Sequence, residues 1–231
     1  MNTSPLIYAR RGLHGLSPND ILAENTYEAF ENALKNSYDG IQLDLHLTKD
    51  NELIIIHDDT LNRTSNTNKI IKVKDLNLKD IRKYKLKNGK EKYPLFKDIL
   101  LLVKRYNKCM IIDVKTIKER ALREIYKSMI KYKFHIEDAI ILWHKNNTFI
   151  NKYSKKLILY RAYYLDSLTE NHIKYLNEYN FKGISFKYTN NENNNKTIAM
   201  SLKYDLHINL WTELDRKKFN IHELLCDQIT I

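Results

Sequence analysis

Residues 39–58 read Asp39-Gly40-Ile41-Gln42-Leu43-Asp44-Leu45-His46-Leu47-Thr48-Lys49-Asp50-Asn51-Glu52-Leu53-Ile54-Ile55-Ile56-His57-Asp58. Two short apolar runs, Asp39–Asp44 and Glu52–His57, flank Thr48-Lys49-Asp50-Asn51, whose composition is that of a turn. The pattern predicts an antiparallel hairpin. Centred on that turn, it pairs position 48 with 53 and position 44 with 57. Asp44 and His57 then face each other at about 5 Å between Cβ atoms, the usual spacing of a directly opposed pair.

Outward from this hairpin, short apolar runs alternate with amphipathic stretches. The strands expected are Leu6–Ala9, Asp39–Asp44, Cys109–Val114, Ala139–Leu142, Leu157–Tyr160, Gly183–Phe186, Leu206–Leu210 and Asp227–Ile231. Helices are expected between them at Thr26–Asn36, Leu95–Tyr106, Lys118–Tyr132, Phe149–Tyr153, Leu168–Glu178, Asn195–Tyr204 and Glu213–Leu225. In the first, Ala29, Phe30, Ala33 and Leu34 recur at helical spacing. Strand–helix alternation implies parallel pairing through helical crossovers. The expected fold class is therefore α/β: a single TIM-type (β/α)8 barrel over residues 1–231, with the hairpin added after the second strand. An open doubly wound sheet is the alternative, but no Gly-rich phosphate loop follows any strand.

The chain has 231 residues, 43% of them hydrophobic, which is enough for one barrel core. With only five Gly and three Pro it has no Gly- or Pro-rich linker, and the polar tract Asn190–Asn195 reads as a loop. Met1–Gly12 holds no apolar run long enough for a signal peptide, and no stretch approaches the ~20 apolar residues of a membrane span. The expectation is a cytoplasmic protein with Cys109 and Cys226 as buried thiols. The net charge of +11 is spread along the chain without a basic helix or an aromatic–basic motif. It reads as a Lys-rich solvated surface, and no specific nucleic-acid partner is expected.

Barrel enzymes place their chemistry at the C-terminal ends of the strands. Those ends carry Arg10, Arg11, Asp44, Asp113, Lys115, Trp143, His144, Arg161, Lys187 and Trp211. Such a rim looks built for an anion, alone or together with a metal ion.

These residues also carry a family resemblance. Ala9-Arg10-Arg11-Gly12 followed by Glu24-Asn25-Thr26, the segment Gly40–Asp50, Ile54-Ile55-Ile56-His57-Asp58 with Arg63, Pro94-Leu95, Ile111-Ile112-Asp113-Val114-Lys115 and Leu210-Trp211-Thr212 resemble, in order, the motifs of the glycerophosphodiester phosphodiesterase family. The resemblance implies a phosphoric diester hydrolase acting on a glycerophosphodiester or a similar small or lipid-derived diester. It implies His57, Arg11 and Lys115 as catalytic residues, and Arg10, Asn25 and Trp211 on the substrate. It further implies a divalent ion, magnesium or calcium, held weakly by Gln42, Asp44 and Asp113. Imidazoles would move protons while cations offset charge on the phosphoryl oxygens.

The sequence departs from that pattern at three places. Arg10 stands where the family has a histidine, Gln42 where it has a metal-binding glutamate, and Asp113 where it has the other glutamate. An arginine does not deprotonate at ordinary pH, so it replaces no acid/base group. Three cations (Arg10, Arg11, Lys115) then face two carboxylates (Asp44, Asp113). The alternative to an enzyme is a degenerate family member that binds a phosphate ester without turnover. His14, between the two opening motifs, is a further residue that would lean back over the rim.

Overall fold

The computed structural model describes residues 4–14, 22–87, 92–144, 149–163, 168–189, 191–212 and 226–231. Its strands are β1 (Leu6–Arg10), β2 (Gly40–Leu47), β3 (Leu53–Ile55), β4 (Cys109–Val114), β5 (Ala139–Trp143), β6 (Ile158–Tyr163), β7 (Gly183–Lys187), β8 (His207–Trp211) and β9 (Gln228–Thr230). The helices are α1 (Tyr27–Lys35), α2 (Leu78–Ile81), α3 (Phe96–Tyr106), α4 (Glu119–Lys131), α5 (Ile150–Ser154), α6 (Glu170–Glu178) and α7 (Glu192–Lys203). The expected helix Glu213–Leu225 lies outside the described residues.

The sheet runs β1-β9-β8-β7-β6-β5-β4-β2-β3 and closes through β1–β2. Every pairing around the ring is parallel; only β3 is antiparallel, on β2. This is the expected closed barrel with a hairpin added.

Strand alternation sorts the side chains into two layers. Ile41, Leu43, Met110, Ile112, Ile141, Leu159, Ile184 and Ile208 point outward, into the main core they share with Phe30, Ile99, Leu122 and Ile125 of the helices. Tyr8, Ile111, Ile140, Leu142, Tyr160 and Ala162 form a separate apolar cluster inside the barrel. Its neighbouring sector is polar: Ser185 Oγ donates to Asn209 Oδ1 at 2.7 Å, and Asn209 Nδ2 donates to Thr230 Oγ1 at 3.1 Å. Ser185, Asn209 and Thr230 satisfy one another there, as buried polar groups must, while Gln228 Oε1, in register with Asn209, has no hydrogen-bond partner. Helix ends follow local chemistry. Thr26 Oγ1 caps α1 by accepting from Ala29 N, and Asn107 ends α3 in the left-handed region at φ +51°.

The hairpin exists, but its register differs from the expected one. Leu47 pairs with Leu53 and Leu45 with Ile55, and Ile56 N donates to Asp44 O at 3.0 Å. Asp44 thus stands opposite Ile56, not His57. The cause is an odd-length turn: Thr48 N donates to Glu52 O, which leaves Lys49-Asp50-Asn51 as the loop, with Asn51 left-handed at φ +66°. Three-residue hairpin loops commonly end on such a left-handed residue. A slip of one residue turns every side chain to the opposite face. His57 therefore lies past the end of β3 and reaches the barrel mouth from the following loop.

The thiols also differ from expectation. Cys109 and Cys226 are free and only half-buried, Cys109 because it opens β4 at the rim opposite the mouth. No helix among the described residues is long and apolar enough to cross a membrane.

Candidate active site

A cavity of about 40 Å³ opens at the C-terminal mouth, lined by Arg10, Gln42, His57, Asp113, Lys115, Leu142, His144, Ala162, Ser185 and Trp211. Inward alternation explains much of this list. Arg10 and Gln42 are register partners on β1 and β2, and Asp44 and Asp113 are register partners on β2 and β4. Lys115 and His144 follow immediately after their strands.

The acidic groups are buried and fully engaged. Lys115 Nζ donates to Asp113 Oδ2 at 2.8 Å and stands 3.2 Å from Asp44 Oδ1. His144 Nε2 lies 2.6 Å from Asp113 Oδ1. Asn25 Nδ2 donates to Asp44 Oδ2 at 2.9 Å, and Asp44 N donates back to Asn25 Oδ1 at 3.3 Å. Arg11 Nε is 3.2 Å from Asp44 Oδ2, an ion pair by distance though its N–H is not aimed for a hydrogen bond.

Burial alone would push the Asp113 carboxyl up, but the His144 hydrogen bond and the Lys115 charge outweigh it and hold it below the ordinary aspartate value. Burial likewise works against the Lys115 ammonium, yet Asp113 and Asp44 raise its pKa above the ordinary lysine value. Asp113 is thus ionised and Lys115 charged over the whole neutral range.

The ion pairs continue round the rim. From Asp44 the path runs through Arg11 to Glu24 (3.0 Å), on to Arg63 (2.5 Å), Asp58 (2.6 Å) and His57 Nδ1 (2.7 Å). His57 and His144 are therefore the two ends of one alternating chain of charges, and each rests on a carboxylate.

The cavity gathers most of the residues singled out from sequence. Arg10, Gln42, His57, Asp113, Lys115 and Trp211 line it together with His144. The Arg10 guanidinium sits 5.1 Å and the Lys187 ammonium 5.3 Å from the Trp211 ring centroid, within cation–π range. Arg11 and Asn25 lie behind the cavity wall, spent on Asp44. Asp44 and Lys187 are not among the lining residues either, and three other expected rim residues do not reach the cavity. The Trp143 ring is fully buried on the outer face, edge-on to Phe149. Arg161 faces outward, its Nη1 donating to Trp143 O at 2.9 Å, because its neighbours Tyr160 and Ala162 take the inward positions. The His14 ring stays local, 3.0 Å from Gly12 O.

Glu24, Asp58, Arg63 and Ser185 join the site in the structure beyond the residues that the sequence points to. Strand alternation points Ser185 inward, and the adjacency of His57 and Asp58 was available as a signal. The Arg63–Glu24 pair spans 39 positions and leaves none.

The donor set does not fit a divalent ion as it stands. Every oxygen of Asp44 and Asp113 already faces a nitrogen, and only the buried Gln42 Oε1 has no hydrogen-bond partner. Among the described residues no group of three or more His, Cys, Asp and Glu side chains is placed to hold a metal ion.

A closed parallel barrel whose charged and aromatic side chains meet in one cavity at the C-terminal mouth has the layout of barrel enzymes as a class. Within that class, the chain belongs to the glycerophosphoryl diester phosphodiesterase family, whose model matches residues 11–229. It is 37% identical over 145 residues to a glycerophosphodiester phosphodiesterase of Bacillus altitudinis, a match covering 59% of this chain and 56% of that protein. The matched segment thus spans about half the length of that relative. In structure it is similar to the glycerophosphodiester phosphodiesterase of Thermotoga maritima, with a TM-score of 0.76 at 20% identity, covering 100% of this chain and 96% of the other. It is also similar to an Oleispira antarctica phosphodiesterase solved with its product sn-glycerol-3-phosphate, with a TM-score of 0.73 at 17% identity and coverage of 98% and 93%. At these identities the structural likeness speaks for the fold.

Proposed function

We propose that the chain hydrolyses a glycerophosphodiester or a similar small or lipid-derived phosphodiester. The observation that carries this reading is the meeting of His57, His144, Lys115 and Arg10 in one cavity at the barrel mouth. Lys115 and Arg10 take the phosphate oxygens, where they offset the charge that builds during displacement. Trp211 forms an apolar floor for the alcohol portion. Water attacks phosphorus while one imidazole takes its proton. The bond from phosphorus to the alcohol oxygen breaks, and the other imidazole returns a proton to that oxygen. The products are a phosphomonoester and an alcohol. The divalent ion implied by the family resemblance has no part in this sequence, because the residues present do not fit it.

The test is an assay of purified protein on a panel of glycerophosphodiesters and on a chromogenic diester, with His57→Ala beside it. A positioned acid/base group is worth ~10²–10⁴-fold, and a loss of that order is expected. Equal rates for the two proteins would remove the mechanism.

One observation favours a second reading, binding of a phosphate ester without turnover. Arg10 occupies the place of a family histidine, and it adds a permanent charge to the cavity instead of a proton carrier. A chain that binds phosphate but hydrolyses nothing on the panel would establish this reading over the first.

A further inference from the structure

We propose that the Lys115 ammonium stands in for the divalent ion, making the cavity a metal-independent site for a phosphate ester. The proposal rests on the reading of the cavity as a phosphate-ester site, and goes beyond it in stating what supplies the positive charge.

Lys115 Nζ lies 2.8 Å from Asp113 Oδ2 and 3.2 Å from Asp44 Oδ1. It therefore bridges the same two carboxylates that the family resemblance assigns to the ion. An ammonium is a compact point charge that such a pair holds well. The remaining oxygens are also taken, Asp113 Oδ1 by His144 and Asp44 Oδ2 by Asn25 and Arg11. Magnesium is usually held through one or two carboxylates with water completing its shell, and calcium takes six to eight oxygen ligands. Of the three residues that the resemblance assigns to the ion, this leaves the neutral Gln42 Oε1 as the oxygen without a hydrogen-bond partner.

That one acceptor has a poor neighbour for a dication. Gln42 is the register partner of Arg10, which also lines the cavity. At close range in a partly buried site, like charges repel strongly and an anion is attracted. The same arrangement that resists a metal ion thus favours a phosphate group, which would meet Lys115 and Arg10 together.

Calorimetry on the full chain, stripped with a chelator, tests this. Magnesium, manganese and calcium chloride are expected to bind more weakly than ~1 mM, the weak end of protein calcium sites. Inorganic phosphate and sn-glycerol 3-phosphate are expected to bind equally well in chelator and in added metal. Lys115→Met is expected to lose at least ~10-fold in phosphate affinity and to gain calcium binding, because Asp44 and Asp113 are released. Thermal unfolding checks that this variant is folded. Should it not be, Lys115→Gln, which keeps a hydrogen-bond donor beside Asp44 and Asp113 but carries no charge, is expected to show the same loss of phosphate and gain of calcium. Metal binding by the parent chain tighter than ~1 mM, or phosphate binding that needs added metal, overturns the proposal while leaving hydrolysis intact. Failure to bind phosphate in either condition overturns it together with the phosphate-ester reading.

Discussion

Arg10 and Gln42, two of the positions that depart from the family pattern, are register partners on adjacent strands of the barrel. Their side chains project from the same face and line the same cavity. The two departures are therefore one local change, the gain of a guanidinium beside the loss of a carboxylate. Residues in such contact do not behave additively on substitution. Gln42→Glu alone would set a carboxylate against Arg10 and form an ion pair across the strands.

This predicts a cooperative reversal. The double variant Arg10→His with Gln42→Glu should hydrolyse a simple diester, with divalent ions supplied, at least ~10²-fold faster than the parent. Each single variant should fall well short of half that gain in logarithmic terms. Steady-state assays of the four proteins decide it. An active parent with an impaired double variant would give Arg10 a catalytic role of its own.

The rim of ion pairs predicts acid sensitivity. Although burial acts to raise it, the hydrogen bonds from Arg63 and His57 hold the Asp58 carboxyl at about 2. That is below the ordinary aspartate value of ~3.9. A depressed folded-state pKa gives stability that is complete above the unfolded value and lost as pH falls through the folded one. The unfolding temperature should therefore drop between pH ~4 and pH ~2, and Asp113, held down in the same direction, adds to the fall. In Asp58→Asn the slope over this window should be shallower. Superimposable curves for the two proteins would mean that the network contributes nothing to stability.

Gly40 predicts a steric failure. A Cβ there would lie 2.3 Å from Cys109 O and 2.6 Å from the Tyr8 ring. The carbonyl belongs to a buried ladder and the ring fills the barrel bottom, so neither yields easily. Gly40→Ala should cost at least ~1–3 kcal/mol, the usual range for overpacking. Urea unfolding measures it, and a change below ~0.5 kcal/mol, ordinary for a surface substitution, would refute the claim.

Periodicity served the strands well because alternation is a local property. Cys109–Val114 was read to the residue, and the inward set at Gln42, Asp44 and Asp113 follows from counting by twos. The hairpin register failed because loop length depends on one left-handed residue, Asn51, which composition does not reveal. Trp143 and Arg161 were misplaced by treating strand ends as equivalent, when neighbouring positions face opposite layers. The partner of His144 lay beyond reach for a different reason. His144 joins Asp113 across 31 positions, a contact fixed only by strand order and shear.

The pairing of β1 with β9 has a consequence in time. Arg10 N donates to Ile231 O at 2.7 Å, and Ile7 on β1 faces Ile229 on β9. A chain emerging from a ribosome receives β9 only some 10–40 seconds after β1, at ~5–20 residues per second. Until then one edge of β1 has no neighbour, and exposed strand edges invite pairing with other chains. Every residue that lines the mouth is synthesised before the ring that aims them can shut. The nascent chain thus passes through an interval in which its anion-binding groups exist without a site, and shielding the open seam during that interval falls to whatever holds the unfinished protein.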